Sequence, residues 1–161
     1  MLMLFIFPNK IWKDWFIALR LMNIFQVGDI VVNNNSWLVG LLGVPSEAGV
    51  IIHTSNYSSV IYLFISHQEI TLMNDYIDKI KLNYTDVDLK VGDLVELKPK
   101  IKSVITIRGV GTIIDTTIIK TNDFDGKFTD EDIKAYLVYF PEEDYEFTIP
   151  CSCLQLFLEQ K

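Results

Sequence analysis

The chain reads as all-β: two small barrels in tandem, preceded by a short N-terminal helix. Three observations predict this. A pattern of four phrases occurs twice in the same order. Each copy is about 60 residues long, which is small for a sandwich and suits a small barrel. Runs of β-branched and aromatic residues are short, and Gly, Pro and Asp punctuate them.

Residues 1–24 stand apart as an apolar extension. Met1 to Phe7 is wholly apolar, but Pro8, Asn9 and Lys10 follow at once. The run is far short of the roughly 20 residues that span a bilayer. It has neither a basic leader nor a small-residue cleavage site, so no signal peptide is expected. Residues 11–22 carry Ile11, Trp15, Ala18 and Met22 at helical spacing, with Trp12, Phe16 and Leu19 alongside. Three readings fit this segment: a helix that covers the core or docks on a partner, an over-extended reading frame whose true start is Met22, or a membrane-surface anchor.

The first barrel is expected over 25–82, a linker over 83–88 and the second barrel over 89–161. Each copy opens on Val-Gly-Asp, in Phe25-Gln26-Val27-Gly28-Asp29-Ile30-Val31 and again in Leu89-Lys90-Val91-Gly92-Asp93-Leu94-Val95. This is a turn feeding a strand: Val enters the core, Gly28 and Gly92 accept the turn dihedrals, and Asp29 and Asp93 bond nearby backbone. The second phrase is Gly49-Val50-Ile51-Ile52, matched by Gly111-Thr112-Ile113-Ile114. Its glycine suits a strand that bends sharply as a small barrel closes. The third phrase aligns Tyr62-Leu63-Phe64-Ile65 with Tyr136-Leu137-Val138-Tyr139. The last aligns Ile70-Thr71-Leu72 and Ile77 with Phe147-Thr148-Ile149 and Leu154. In the second copy Tyr136, Val138 and Phe140 share one face, and so do Tyr145, Phe147 and Ile149. Pro141-Glu142-Glu143-Asp144 is a hairpin turn between them. Pro150 ends the strand, having no N–H for a ladder.

The order Val-Gly-Asp, Gly-x-Ile-Ile, aromatic strand, Ile-Pro-x-x-x-Leu resembles SH3-like barrels. In these the fourth strand ends in a Pro-containing 3₁₀ turn leading to the last strand, as Ile149-Pro150-Cys151-Ser152-Cys153-Leu154 would. The chain is similar to the short Val-Gly-Asp barrel proteins encoded by tailed phages, including those infecting cyanobacteria. The first copy departs from the pattern, with Met73 where the second has Pro150. The acidic aromatic segment of signalling SH3 domains is absent, so the resemblance does not imply binding of proline-rich peptides. It implies a structural or assembly adaptor that binds other protein subunits, phage structural proteins among them, in the virion or the host cytoplasm.

Chemistry is sparsely represented. The net charge is −7, and residues 1–24 carry Lys10, Lys13 and Arg20 against Asp14, so the remainder is more acidic still. An acidic body is a poor generic binder of phosphate backbones. His53 and His67 have no metal-ligand spacing with each other or with Cys151 and Cys153, and no metal or other cofactor is expected. The two cysteines, two residues apart, are badly placed to bridge each other. Asp123-Phe124-Asp125-Gly126 with Asp130, Glu131 and Asp132 fails the spacing of a calcium loop and reads as a solvated acidic loop. No nucleophile sits beside a credible base, and no enzymatic activity is expected. Two surfaces remain. Leu137 and Tyr139, with Tyr145, would form an outward apolar patch. Lys98, Lys100 and Lys102, with Arg108, would form a basic stripe. That stripe would contact phosphates in the alternative reading, a KOW-like regulatory module binding nucleic acid or RNA polymerase. The plainer reading of these lysines is protection of an edge strand against aggregation.

Overall fold

The computed structural model describes residues 25–34, 47–83, 88–121 and 132–158. The helix expected over 11–22 and nearly all of the acidic loop at 123–132 lie outside these residues. Within them the chain forms two antiparallel five-stranded sheets with almost no helix, so it is all-β, as its sequence predicts.

The first sheet comprises β1 (Ile30–Asn33), β2 (Ala48–Thr54), β3 (Ser58–Leu63), β4 (Glu69–Met73) and β5 (Ile77–Lys79), in the order β4-β3-β2-β1-β5. The second comprises β6 (Leu94–Leu97), β7 (Gly111–Ile119), β8 (Ile133–Phe140), β9 (Tyr145–Pro150) and β10 (Leu154–Leu156), in the order β10-β6-β7-β8-β9. In both, the first strand lies between the second and the fifth. A 3₁₀ turn, Asn74–Tyr76 or Cys151–Cys153, swings the chain from the fourth strand to the fifth. The same strand order is thus present twice. One helical turn, α1 (Pro99–Lys102), interrupts the loop between β6 and β7.

The Val-Gly-Asp turns are duplicated bond for bond. Gly28 and Gly92 both have φ of +96°, a conformation that side-chain-bearing residues rarely adopt. Gly28 N–H donates to Ile51 O and Gly92 N–H to Ile113 O, each at 2.8 Å. The carboxylates of Asp29 and Asp93 accept the N–H of Gln26 and Lys90, each at 2.8 Å. The valine of the motif behaves differently from expectation. Val27 is half-buried and Val91 is 58% exposed, because the turn lifts this residue off the barrel rather than into it.

The sharp bend also recurs. Pairing shifts between Ile51 and His53 in β2 and between Ile113 and Asp115 in β7, so Ile52 and Ile114 are the extra residues of equivalent bulges. Just before the bend, Gly49 and Gly111 lie opposite Val31 and Val95. A Cβ on Gly111 would sit 2.5 Å from Val138 Cγ1 and 3.0 Å from the Phe140 ring. One on Gly49 would collide with Ile61 Cγ2. Ile61 and Val138 therefore hold the same place.

That equivalence corrects the third phrase. Ile51 pairs with Ile61 as Ile113 pairs with Val138, and Ile61 pairs with Ile70 as Val138 pairs with Phe147. Tyr62 therefore corresponds to Tyr139, not to Tyr136. The likeness of two Tyr-Leu-apolar runs set the sequence alignment three residues off, whereas the ladder fixes the true register. The fourth phrase keeps the alignment that the sequence predicts.

Two cores result. The smaller lies inside the first barrel and, among the described residues, includes Val31, Ile51, Ile61, Leu63, Leu72 and Ile77. The larger fills the second barrel with residues such as Val95, Leu97, Ile113, Val138, Phe140 and Ile149. It continues without a break into Ile30, Ala48, Val50, Ile52 and Phe64 of the first. Side chains alternate along a strand, so these last residues belong to the outer face of the first barrel. The second barrel covers that face.

Candidate interaction surfaces

On the first barrel's side the contact between the barrels presents residues of β1 and β2 and Phe64, and at its rim Tyr62 and His67 meet Tyr145, Phe147 and Thr148 of β9. Ile30 and Ile52 are 3% and 2% exposed on the covered face. At its rim His67 adopts a left-handed conformation, φ +57°, in the turn after β3. Its Nδ1 lies 2.9 Å from the Tyr62 hydroxyl. The imidazole centroid is 5.9 Å from that of Tyr145 and 6.4 Å from that of Phe147, to which it lies nearly parallel. Burial pushes the Tyr62 hydroxyl above its ordinary pKa, while a hydrogen bond with the Thr148 side chain pulls the other way.

Among the described residues, the same face of the second barrel is open. Leu94 and Ile114, the counterparts of Ile30 and Ile52, are 51% and 39% exposed. Pro141 stands exposed where Phe64 is buried. The rim is retained: Asp144 has φ +50° in the matching turn, and Tyr139 donates its hydroxyl to Asp144 Oδ1 at 2.8 Å. That hydrogen bond raises the Tyr139 pKa.

Of the residues that the sequence points to as an interaction patch, Leu137 and Tyr139 lie half-buried on this open face. Tyr145 does not join them. It stands exposed at the start of β9, on the face of Phe147 and Ile149, where it packs on Phe147 (ring centroids 4.9 Å apart) and on His67. Leu94 and Ile114 complete the face, and sequence reasoning missed both. A signal for the covered face was present: Val50-Ile51-Ile52 is apolar at three successive positions, as in a strand buried on both sides. The matching run, Thr112-Ile113-Ile114-Asp115, has a polar residue at each end.

The basic residues do not make a stripe. Pro99 starts a helical turn where alternation was expected, and each cation has its own protein partner. Lys98 is buried and its Nζ donates to the Asn83 carbonyl at 2.8 Å; Lys100 Nζ donates to that of Lys81 at 2.6 Å. These two tie α1 to the segment entering the linker. Lys102 meets Glu96 at 3.1 Å, and Arg108 Nε meets Glu143 at 2.9 Å.

Gly28, Asp29, Gly92 and Asp93 lie in the turns before β1 and β6, Gly111 opens β7 and Pro150 is the last residue of β9. Cys153 is buried, and burial pushes its thiol up to about 12; Cys151, half-buried, is also raised by burial. Neither has the lowered pKa of a reactive thiol. Among the described residues no group of three or more His, Cys, Asp or Glu could hold a metal ion, and no helix is long and apolar enough to cross a membrane. A groove of about 710 Å³ runs between Gly28, Leu82, Leu89, Lys98, Leu156 and Leu158, beside the linker. No protein-family model matches this chain, and comparison with curated proteins finds no similar one.

Proposed function

We propose that the chain is a non-enzymatic adaptor that binds other protein subunits through the outer face of β6, β7 and β8. One observation carries this reading: the second barrel leaves open the face that the first barrel has covered by protein. Leu94 and Ile114 expose apolar surface there, beside a tyrosine whose hydroxyl Asp144 already holds. A contiguous apolar patch with a polar rim has the anatomy of a protein-docking surface. The likeness of the Val-Gly-Asp phrases to tailed-phage barrel proteins adds a setting, assembly of a virus particle, in the virion or the host cytoplasm.

The alternative of a module that binds nucleic acid or polymerase finds less support. Phosphate binding draws on cations able to displace counterions. Here Lys98 and Lys100 bond backbone carbonyls, while Lys102 and Arg108 bond carboxylates.

The test is quantitative affinity capture of the tagged full chain from its producing cells, beside a Leu94→Asp/Ile114→Asp variant. The reading expects structural subunits retained in near-stoichiometric amount by the first and depleted at least about tenfold by the second. Retention of nuclease-sensitive nucleic acid, lost on Lys100→Ala/Lys102→Ala/Arg108→Ala, would favour the alternative.

A further inference from the structure

The covered face has an uncovered twin, and so does the edge that covers it. Within the molecule, β9 brings Tyr145, Phe147 and Thr148 against the Tyr62–His67 rim of the first barrel. The register that equates Ile61 with Val138 and Ile70 with Phe147 equates this edge with β4. Gln68 then stands for Tyr145, Ile70 for Phe147 and Thr71 for Thr148. Gln68 and Thr71 are exposed and Ile70 is half-buried. Each chain thus contains one satisfied pairing of face with edge. Among the described residues it also carries a free face, on the second barrel, and a free edge, on the first.

We infer that a second copy of this chain docks its β4 edge on the open β6–β7–β8 face of the first, repeating between molecules the contact that joins the two barrels within one. Both halves of the key polar pair are in place. Tyr139 is oriented by Asp144 as Tyr62 is by His67, and Thr71 is exposed where its counterpart Thr148 reaches Tyr62. Leu94 and Ile114 supply the apolar floor that Ile30 and Ile52 supply internally. Where Tyr145 packs on His67, Gln68 of the second copy brings an amide N–H to the Asp144 carboxylate. The contact uses different surfaces on the two copies, so each addition leaves a free face at one end and a free edge at the other. Such a heterologous contact builds a ring or a filament. The inference rests on the reading of the β6–β7–β8 face as a docking surface and names its partner.

The test measures molar mass for the full chain by sedimentation velocity and light scattering over a range of concentrations. Wild type is expected to grow with concentration in steps of the 18.6 kDa chain mass. A face variant, Leu94→Asp/Ile114→Asp, and an edge variant, Gln68→Glu/Thr71→Glu, should each weaken association at least about tenfold. All four positions are exposed, and an unchanged urea midpoint shows that the fold is kept. Mixing the two variants should restore association but stop at twice the chain mass, because each retains the half that the other lacks. A wild type that stays monomeric into the millimolar range overturns the inference. So does loss of association in the face variant alone, which is the mark of a two-fold dimer, and so does association that neither variant weakens. If the wild type is monomeric yet Leu94→Asp/Ile114→Asp still abolishes capture of other subunits, only the inference falls. If capture is also unaffected, the docking reading falls with it.

Discussion

At the residue scale, the two glycines that recur in the repeated phrases of each copy carry different burdens. Gly28 and Gly92 are required by their positive φ and have open space around them; Gly49 and Gly111 are required by what lies above them. A methyl at Gly111 must displace Val138 and the Phe140 ring, both fully buried and packed on neighbours. Close-packed interiors yield little to such an addition. Gly111→Ala is therefore expected to destabilise the fold by about 1–3 kcal/mol, read as a lower urea midpoint with unchanged slope. A change under about 0.5 kcal/mol would mean that β8 shifts freely above β7, which the measured error of such experiments would resolve. The importance of these glycines was legible in the sequence, because the phrase around each occurs twice. Their two separate reasons were not, since φ and close approach are properties of the folded backbone.

At the element scale, the edge of the second barrel is closed by a small polar network. Glu96 on β6 accepts from the Gln155 side chain on β10 at 2.8 Å and from Lys102 of α1 at 3.1 Å. The Gln155 hydrogen bond foremost, and the lysine after it, hold its carboxyl below the ordinary value of 4.5. A depressed carboxylate contributes stability in full above its unfolded pKa, and that contribution is lost as pH falls through the lowered folded value. Glu96→Gln should thus be less stable than wild type at pH 7 by at most about 1 kcal/mol, because solvent reaches the pair. The difference should shrink at acid pH, below 4.5 and onward. Urea midpoints of both proteins at pH 7 and pH 3 check this, and a gap that persists at pH 3 would assign it to shape rather than charge. Element order was largely legible: turns, bends and the Pro150 strand end all follow from local chemistry. The third phrase was misregistered because short apolar-aromatic runs look alike in any register, and only cross-strand pairing tells them apart. The lysines were misread for a related reason. Alternation at 98, 100 and 102 suggests a strand, but Pro99 fits the first position of a helix and no strand interior.

At the scale of the whole molecule, the division into two barrels is topological, whereas the core ignores it. Among the described residues, the inner core of the first barrel includes Val31, Ile51, Ile61, Leu63, Leu72 and Ile77. Its outer residues Ile30, Val50, Ile52 and Phe64 belong to the cluster that fills the second barrel. The sequence showed two units because the repeat is visible in one dimension. It did not show their contact, because a covering surface comes from residues distant along the chain. If the second barrel opened alone, four large apolar side chains of the first would meet water, at a cost of about 1.5–3 kcal/mol each. That penalty couples the barrels, so the chain is expected to unfold in one transition. In calorimetry the measured and van't Hoff enthalpies should agree for the full chain. Phe64→Ala should lower the stability of that transition by about 3–5 kcal/mol, although Phe64 lies in the turn after β3 and outside the second barrel. Two resolved transitions in the wild type, or a Phe64→Ala effect confined to one of them, would mean that the shared core does not couple the barrels. The open β6–β7–β8 face would then belong to a module able to act alone. A single transition makes it the exposed end of one cooperative unit, in which the strength of the internal contact sets how rigidly the outer one is presented.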